Sequence, residues 1–234
     1  MGMPGDNRTF LLNLLADRLW ENKTPDTPYI VGITGIDTSG KTELSKELYQ
    51  TFQMRKVDVQ IIHLDDFHHP KAIRYCPGLT EPQQYYKQSF DFERLIDEVL
   101  DPIRKHNGFQ GNLLHLDLTA DTRTVRRKYS IHPHTVVLLE GVFLFRSEVR
   151  PYVDFYIYLE VNEDNVMKRA MLRDVPSQGN EVLRKYANKY LPAQKEYLME
   201  HPPMTIADVI VNNCDWDNPQ IIKWPREEGD KRDE

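Results

Sequence analysis

The sequence predicts an α/β fold: a five-stranded parallel sheet with helices on both faces, a small β-hairpin and a helical lid. Three observations carry that prediction. Short apolar runs alternate with stretches of helical periodicity, the pattern of a sheet covered on both sides. A strand, a glycine-rich loop and a helix follow one another between Tyr29 and Phe52. Acids and amides recur where the apolar runs end, and open α/β sheets collect their ligands at those carboxyl ends.

Residues 1–7 carry no periodic signal and are expected to be frayed. From Arg8 to Trp20 the positions Leu11, Leu12, Leu14, Leu15, Leu19 and Trp20 give an amphipathic helix, and Pro25 and Pro28 bound its connection to the first strand. Tyr29-Ile30-Val31-Gly32-Ile33-Thr34 reads as that buried strand. In the next segment Leu44, Leu48 and Phe52 recur at helical spacing. Val57 to Leu64 is a second strand, ending at Asp65-Asp66. Residues 71–90 hold prolines, Gly78 and adjacent tyrosines, which predict loop with a short helix near 82–87. Asp91 caps a helix with Leu95, Ile96, Val99 and Leu100 inward, and Pro102 kinks or ends it.

Between Gly111 and Ile131 the pattern becomes alternating: Leu114, Leu116 and Leu118 on one arm, Val125, Arg127 and Tyr129 on the other, hence a hairpin. Val136 to Glu140, Asp154 to Leu159 and Asp208 to Asn212 supply three more strands. Asn162 opens a helix that ends among basic residues, and a long helical stretch runs from about Glu181 to Glu200. The charged tail from 225 to 234 is expected to be disordered.

The totals exclude several functions. A net charge of −6 gives no basic field to recruit nucleic acid or an anionic membrane. Cys76 and Cys214 match no metal spacing and fit a reducing compartment. No run approaches the ~18 apolar residues of a membrane span, and the first residues show no signal-peptide pattern. A cytoplasmic protein is expected.

The chemistry centres on Gly35-Ile36-Asp37-Thr38-Ser39-Gly40-Lys41-Thr42, which matches G-x-x-x-x-G-K-[ST] at every fixed position and sits between a strand and a helix. Loop amides and the helix dipole favour an anion, Lys41 adds a cation, and the Thr42 hydroxyl can ligate Mg²⁺. Glu140, at the end of an apolar strand, suits an outer-shell place at that metal. Of Asp65 and Asp66 only one is expected to face the site, because strand side chains alternate. It would take the proton of an attacking alcohol; a solvated turn is the competing reading. Arg169 and Arg173, four apart on a helix, suit a mobile lid or surface ion pairs. The acceptor pocket is sought among Asp66, His68, Arg74, Tyr75, Tyr85, Asp117 and Arg123, with Arg169 from the lid. Tyr75, Tyr85 and Tyr86 either stack on a base or sugar or pack the core.

This loop, together with Leu64-Asp65-Asp66-Phe67-His68, Leu139-Glu140-Gly141-Val142-Phe143 and Arg169-Ala170-Met171-Leu172-Arg173-Asp174-Val175, resembles the uridine kinase family of P-loop kinases, relatives of nicotinamide riboside kinase and phosphoribulokinase. The likeness spans about Arg8 to Trp224. It implies a P-loop NTPase fold in one domain, 8–224, with a hairpin insertion at about 111–131 and a lid at about 169–184. It also implies ATP and Mg²⁺ as cofactors and transfer of the γ-phosphate to the 5′-hydroxyl of a ribonucleoside such as uridine or cytidine. Asp65 then matches the family's base, Glu140 its metal-associated acid and Arg173 its lid arginine. The acceptor half departs from the pattern: Leu116 and Asp121 replace a Tyr and a His, Tyr85 replaces a ribose-gripping aspartate, and Gln178 and Asn180 replace lid arginines. A kinase for another hydroxyl acceptor (a ribosyl vitamin precursor, a sugar or an organic acid) or a non-catalytic nucleotide-binding module therefore stays open, as does a homo-oligomer.

Overall fold

The computed structural model describes residues 6–225; of the tails expected at 1–7 and 225–234, residues 1–5 and 226–234 lie outside them. Asp6 and Asn7, expected to be frayed, already belong to helix α1 (Asp6–Asn22), and the Asn7 side chain donates to Asn218 Oδ1 at 2.7 Å. Five strands are parallel, as the apolar runs predict: β1 (Tyr29–Gly35), β2 (Val59–His63), β5 (Val136–Gly141), β6 (Phe155–Glu160) and β7 (Val209–Asn212). A sixth, β8 (Gln220–Lys223), pairs antiparallel with β7, giving the order β2-β5-β1-β6-β7-β8. It was not expected because two isoleucines between polar residues make too short a period to read.

Alternation along β1 sends Val31 and Ile33 to one face and Ile30 to the other. On the first face α1 and α2 (Lys41–Met54) bury Leu15, Leu19, Leu44, Leu48 and Phe52 against the sheet. Each such side chain contributes about 1.5–3 kcal/mol on leaving water. The second face is covered by α4 (Glu81–Gln88), which follows the short α3 (Lys71–Arg74), and by α5 (residues 92–106) and α8 (residues 181–200). Asp91 caps α5 by accepting from Arg94 N at 3.0 Å.

Pro102 neither ends nor breaks α5. A π-turn, Ile96–Leu100, directly precedes it, and a second π-turn, Tyr186–Tyr190, precedes Pro192 in α8. The wider turn relieves the clash between a proline ring and the preceding helical turn, so both helices continue.

The hairpin joins β3 (Phe109–Asp117) and β4 (Thr122–Ile131), with a bulge at His115/Leu116. Leucine alternation marks the hairpin but not its buried residue: Leu114 and Leu118 are exposed, whereas His115 is wholly buried. The bulge sets His115 and Leu116 inward together. The lid region comprises α6 (Glu163–Arg173), capped by Asn162, and the short α7 (Val175–Gln178), leading into α8. Among the described residues no helix is long and apolar enough to cross a membrane.

Candidate functional site

The loop after β1 is bent by two left-handed residues, Thr38 (φ 58°) and Gly40 (φ 97°). At Gly40 a Cβ would also lie 2.7 Å from Asn213 Nδ2 and 2.9 Å from the Trp216 ring, so only glycine fits. Thr38 holds a conformation that β-branched residues avoid, and its surroundings enforce it. Arg169 donates to Thr38 O at 3.0 Å and Asn213 Nδ2 to Ser39 O at 2.7 Å. Drawing these carbonyls outward frees the loop amides at the start of α2 for an anion.

Lys41 is buried, and its one hydrogen bond among the described residues runs to Ile36 O at 2.8 Å. Burial lowers its pKa, opposed by Asp37, Glu140 and Asp65. A desolvated ammonium with spare donors is a ready partner for phosphate oxygens. The loop opens on a cavity of about 370 Å³ lined by Thr38, Gly40, Lys41, Thr42, Arg173 and Trp216, with Arg169, Leu172 and Glu43 on its walls.

Thr42 Oγ1 donates to both carboxylate oxygens of Glu140, at 3.3 Å each. These are long for O–H···O bonds, whereas Glu140 makes a short 2.6 Å contact with His63 Nδ1. That contact raises the His63 pKa. Register explains it, because His63 and Glu140 are direct neighbours on β2 and β5. A hydroxyl loosely held beside a buried carboxylate is a hard-oxygen donor set that fits Mg²⁺ alongside phosphate oxygens. Among the described residues no cluster of three or more His, Cys, Asp and Glu side chains could hold a metal alone.

Asp65 begins the 3₁₀ turn Leu64–Phe67 after β2. Gly141 lets that turn close on β5, since a Cβ there would lie 2.4 Å from Leu64 Cβ. Asp65 is exposed at the surface. Desolvation by the protein packed around its carboxylate raises its pKa; His68 opposes the rise, and Glu140 and Asp37 add to it. His68 donates from Nδ1 to Asp65 O at 2.7 Å and packs on Phe90, and burial lowers its pKa.

Other expected residues are placed differently. Asp66 turns to the hairpin, where Arg127 clamps it through two bonds of 2.9 and 3.0 Å. Asp66 thus anchors the hairpin. Asp117 caps its own turn by accepting from Thr119 N and Ala120 N. Arg169 binds the carbonyls of Thr38 in the loop and of Asn213. Arg123 lies 3.6 Å from Asp91, and Arg74 3.9 Å from Asp121 with its Nε buried and unpartnered. Tyr75 is exposed, with Lys189 Nζ 5.2 Å from its ring.

Tyr85 is buried among Phe90, Phe143 and Tyr190, so its ring belongs to the core, while its hydroxyl donates to Asp37 Oδ2 at 2.9 Å. Arg173 forms two bonds to Asp174 (2.7 and 3.0 Å) and one to Tyr186. Burial works against the Asp174 carboxylate, but the bonds from Arg173 and Tyr186 outweigh it and hold its pKa low.

The motifs did not single out His63, Gln194 or Trp216, whereas the Asn212-Asn213 loop is expected on the rim at the strand ends, and Asn213 does reach the phosphate loop there. A period of two from Asp65 places His63 on one strand face with it, which is a usable signal. Gln194 and Trp216 lie on segments that only the folded chain brings to the loop.

The profile described as "Phosphoribulokinase / Uridine kinase family" matches residues 30–217. The chain is 27% identical over 228 residues to a uridine-cytidine kinase 2-B of Danio rerio, covering 89% of this chain and 80% of that one. A uridine kinase of Chlamydia pneumoniae is 27% identical over 188 residues, 78% and 81% of the two chains. Among solved structures, that of a possible uridine kinase from Bacillus stearothermophilus superposes with a TM-score of 0.69 at 28% identity, covering 87% of this chain and 98% of the other.

Proposed function

From the premise that the chain belongs to the phosphoribulokinase/uridine kinase family, we propose that it transfers the γ-phosphoryl group of ATP to the 5′-hydroxyl of a ribonucleoside, uridine or cytidine being the first candidates. The observation that carries the reading is the pairing of Thr42 with Glu140 beside a buried Lys41, with Asp65 following the neighbouring strand β2. In the reaction a bond forms between the acceptor oxygen and the γ-phosphorus while the bridging oxygen leaves with ADP. Asp65 takes the hydroxyl proton, and its raised pKa makes it a better acceptor at neutral pH. Lys41 holds phosphate oxygens, and Arg173 leaves Asp174 to meet the transferring group. Thr42 and Glu140 would hold Mg²⁺, which would supply positive charge against the phosphate oxygens during transfer.

A second reading, an acceptor bearing a carboxylate, is favoured by Lys189 and Arg74. Lys189 is partly desolvated among the rings of Tyr75, Tyr85 and Tyr190, and Arg74 has an unpartnered Nε. ADP release measured with uridine, cytidine and hydroxy acids decides between the readings. Turnover only with hydroxy acids rejects the nucleoside, and ADP binding without turnover on any acceptor rejects both.

A further inference from the structure

A carboxylate in a phosphate-binding loop is electrostatically adverse, since its neighbours are meant to be anions. Asp37 nevertheless occupies a variable position of this loop, and the structure shows where its charge is directed. Tyr85 Oη donates to Asp37 Oδ2 at 2.9 Å and Gln194 Nε2 to the same oxygen at 2.8 Å. Gln194 Oε1 accepts from the Asp37 amide at 3.3 Å, closing a ring around the residue. Both donors come from helices on the acceptor side, α4 and α8, and both are buried. Tyr85 cannot ionise there: burial and the adjacent carboxylate push its pKa well up, so it remains a donor.

This clamp fixes the carboxylate but uses only one of its oxygens. Oδ1 makes no hydrogen bond among the described residues, and Asp37 is not fully buried. An ionised carboxylate accepts only, so the open Oδ1 can take a hydrogen bond from a donor on the ligand in place of water. Phosphate oxygens are acceptors and repel it; neutral hydroxyls satisfy it. The charge of Asp37 also raises the pKa of the Asp65 carboxylate, so the two act on one region of the site.

We propose that Asp37 is a specificity-determining residue for the acceptor, its free carboxylate oxygen taking hydrogen bonds from vicinal hydroxyls of the acceptor's sugar while Tyr85 and Gln194 hold it in place. The proposal rests on the nucleoside reading. It makes the loop read both substrates, phosphates through its amides and the sugar through one side chain. A purely structural Asp37 would tie the loop to α4 and α8 without distinguishing acceptors.

The test compares kcat/KM for a ribonucleoside and its 2′-deoxy and 3′-deoxy counterparts, at saturating Mg-ATP, in wild-type protein and Asp37→Asn. A hydrogen bond to a charged group is worth about 10- to 100-fold in a rate ratio. The wild type should favour the ribonucleoside by that factor, and Asp37→Asn should collapse the preference, the loss lying in the KM of the ribonucleoside. Thermal stabilisation by ADP reports that the variant is folded; should it not fold, Gln194→Leu, which frees the carboxylate from its clamp, must narrow the same preference. Equal losses on all three acceptors, or an unchanged preference, overturn the proposal alone. A wild-type protein that turns over no ribonucleoside overturns the nucleoside reading and this proposal together.

Discussion

The guanidinium of Arg8 lies 3.5 Å above the ring of Trp216, joining α1 to the wall of the cavity beside the phosphate-binding loop. The same side chain forks onto Glu47 with bonds of 2.8 and 2.5 Å and reaches Asn213 Oδ1 at 3.3 Å. Asn213 in turn holds Ser39 O in the phosphate loop. Arg8→Ala would leave Glu47 and Asn213 without this partner and uncover Trp216. The expected outcome is a loss of about 1–3 kcal/mol in denaturant unfolding together with weaker ADP binding. Arg8→Lys should recover little of it, because an ammonium cannot reproduce the planar fork and stack. Unchanged stability in the alanine variant would remove Arg8 from the loop's support.

Asp65→Asn tests the proton acceptor. The amide keeps the shape of the 3₁₀ turn but cannot take a proton, so kcat should fall about 10²- to 10⁴-fold. Nucleotide contacts come from the loop, and the KM for ATP should stay within about twofold. A variant with wild-type kcat would remove Asp65 from the chemistry.

Much of the fold is legible because its signals are local. The five parallel strands are runs of apolar residues, and the loop motif fixes where the first strand gives way to α2. Asn162 and Asp91 mark helix starts by chemistry that needs no tertiary context. Other features depend on neighbours distant in sequence. His63 meets Glu140 only because β2 pairs with β5, an order that strand patterns do not encode. Asp66 looks equivalent to Asp65 until Arg127 arrives from a hairpin 61 residues away. Tyr85 packs in the core as a ring and serves the loop as a hydroxyl, so neither of the two sequence readings alone describes it.

Glu140→Gln probes the metal donor set. The variant retains a polar side chain opposite Thr42 but removes the negative charge that favours a divalent cation. Its short contact with His63 also loses its charge assistance. Titration of activity against Mg²⁺ at fixed ATP should shift to higher metal concentration, with kcat at saturating metal less affected than activity at low metal. An identical Mg²⁺ requirement would place Glu140 outside the metal's surroundings.

The hairpin should confer an acid-sensitive stability through His115. Its Nδ1 donates to Asp66 O at 3.0 Å, so its Nε2, 2.9 Å from Tyr129 Oη, must accept from that hydroxyl. Only the neutral ring can do both. Burial lowers the His115 pKa despite the nearby Asp66, so the unfolded chain takes up this proton before the folded one does. Stability from His115 is therefore full above the unfolded value of about 6.5 and is lost as pH falls toward the lower folded value. His68 and His201, also lowered by burial, act in the same direction, whereas the raised pKa of His63 acts against them. The test must therefore be a difference: Tm measured between pH 7.5 and 5.5 should fall more steeply in wild-type protein than in His115→Gln, which keeps a donor and an acceptor without a titrating ring. Parallel curves would show that this imidazole does not couple protonation to folding.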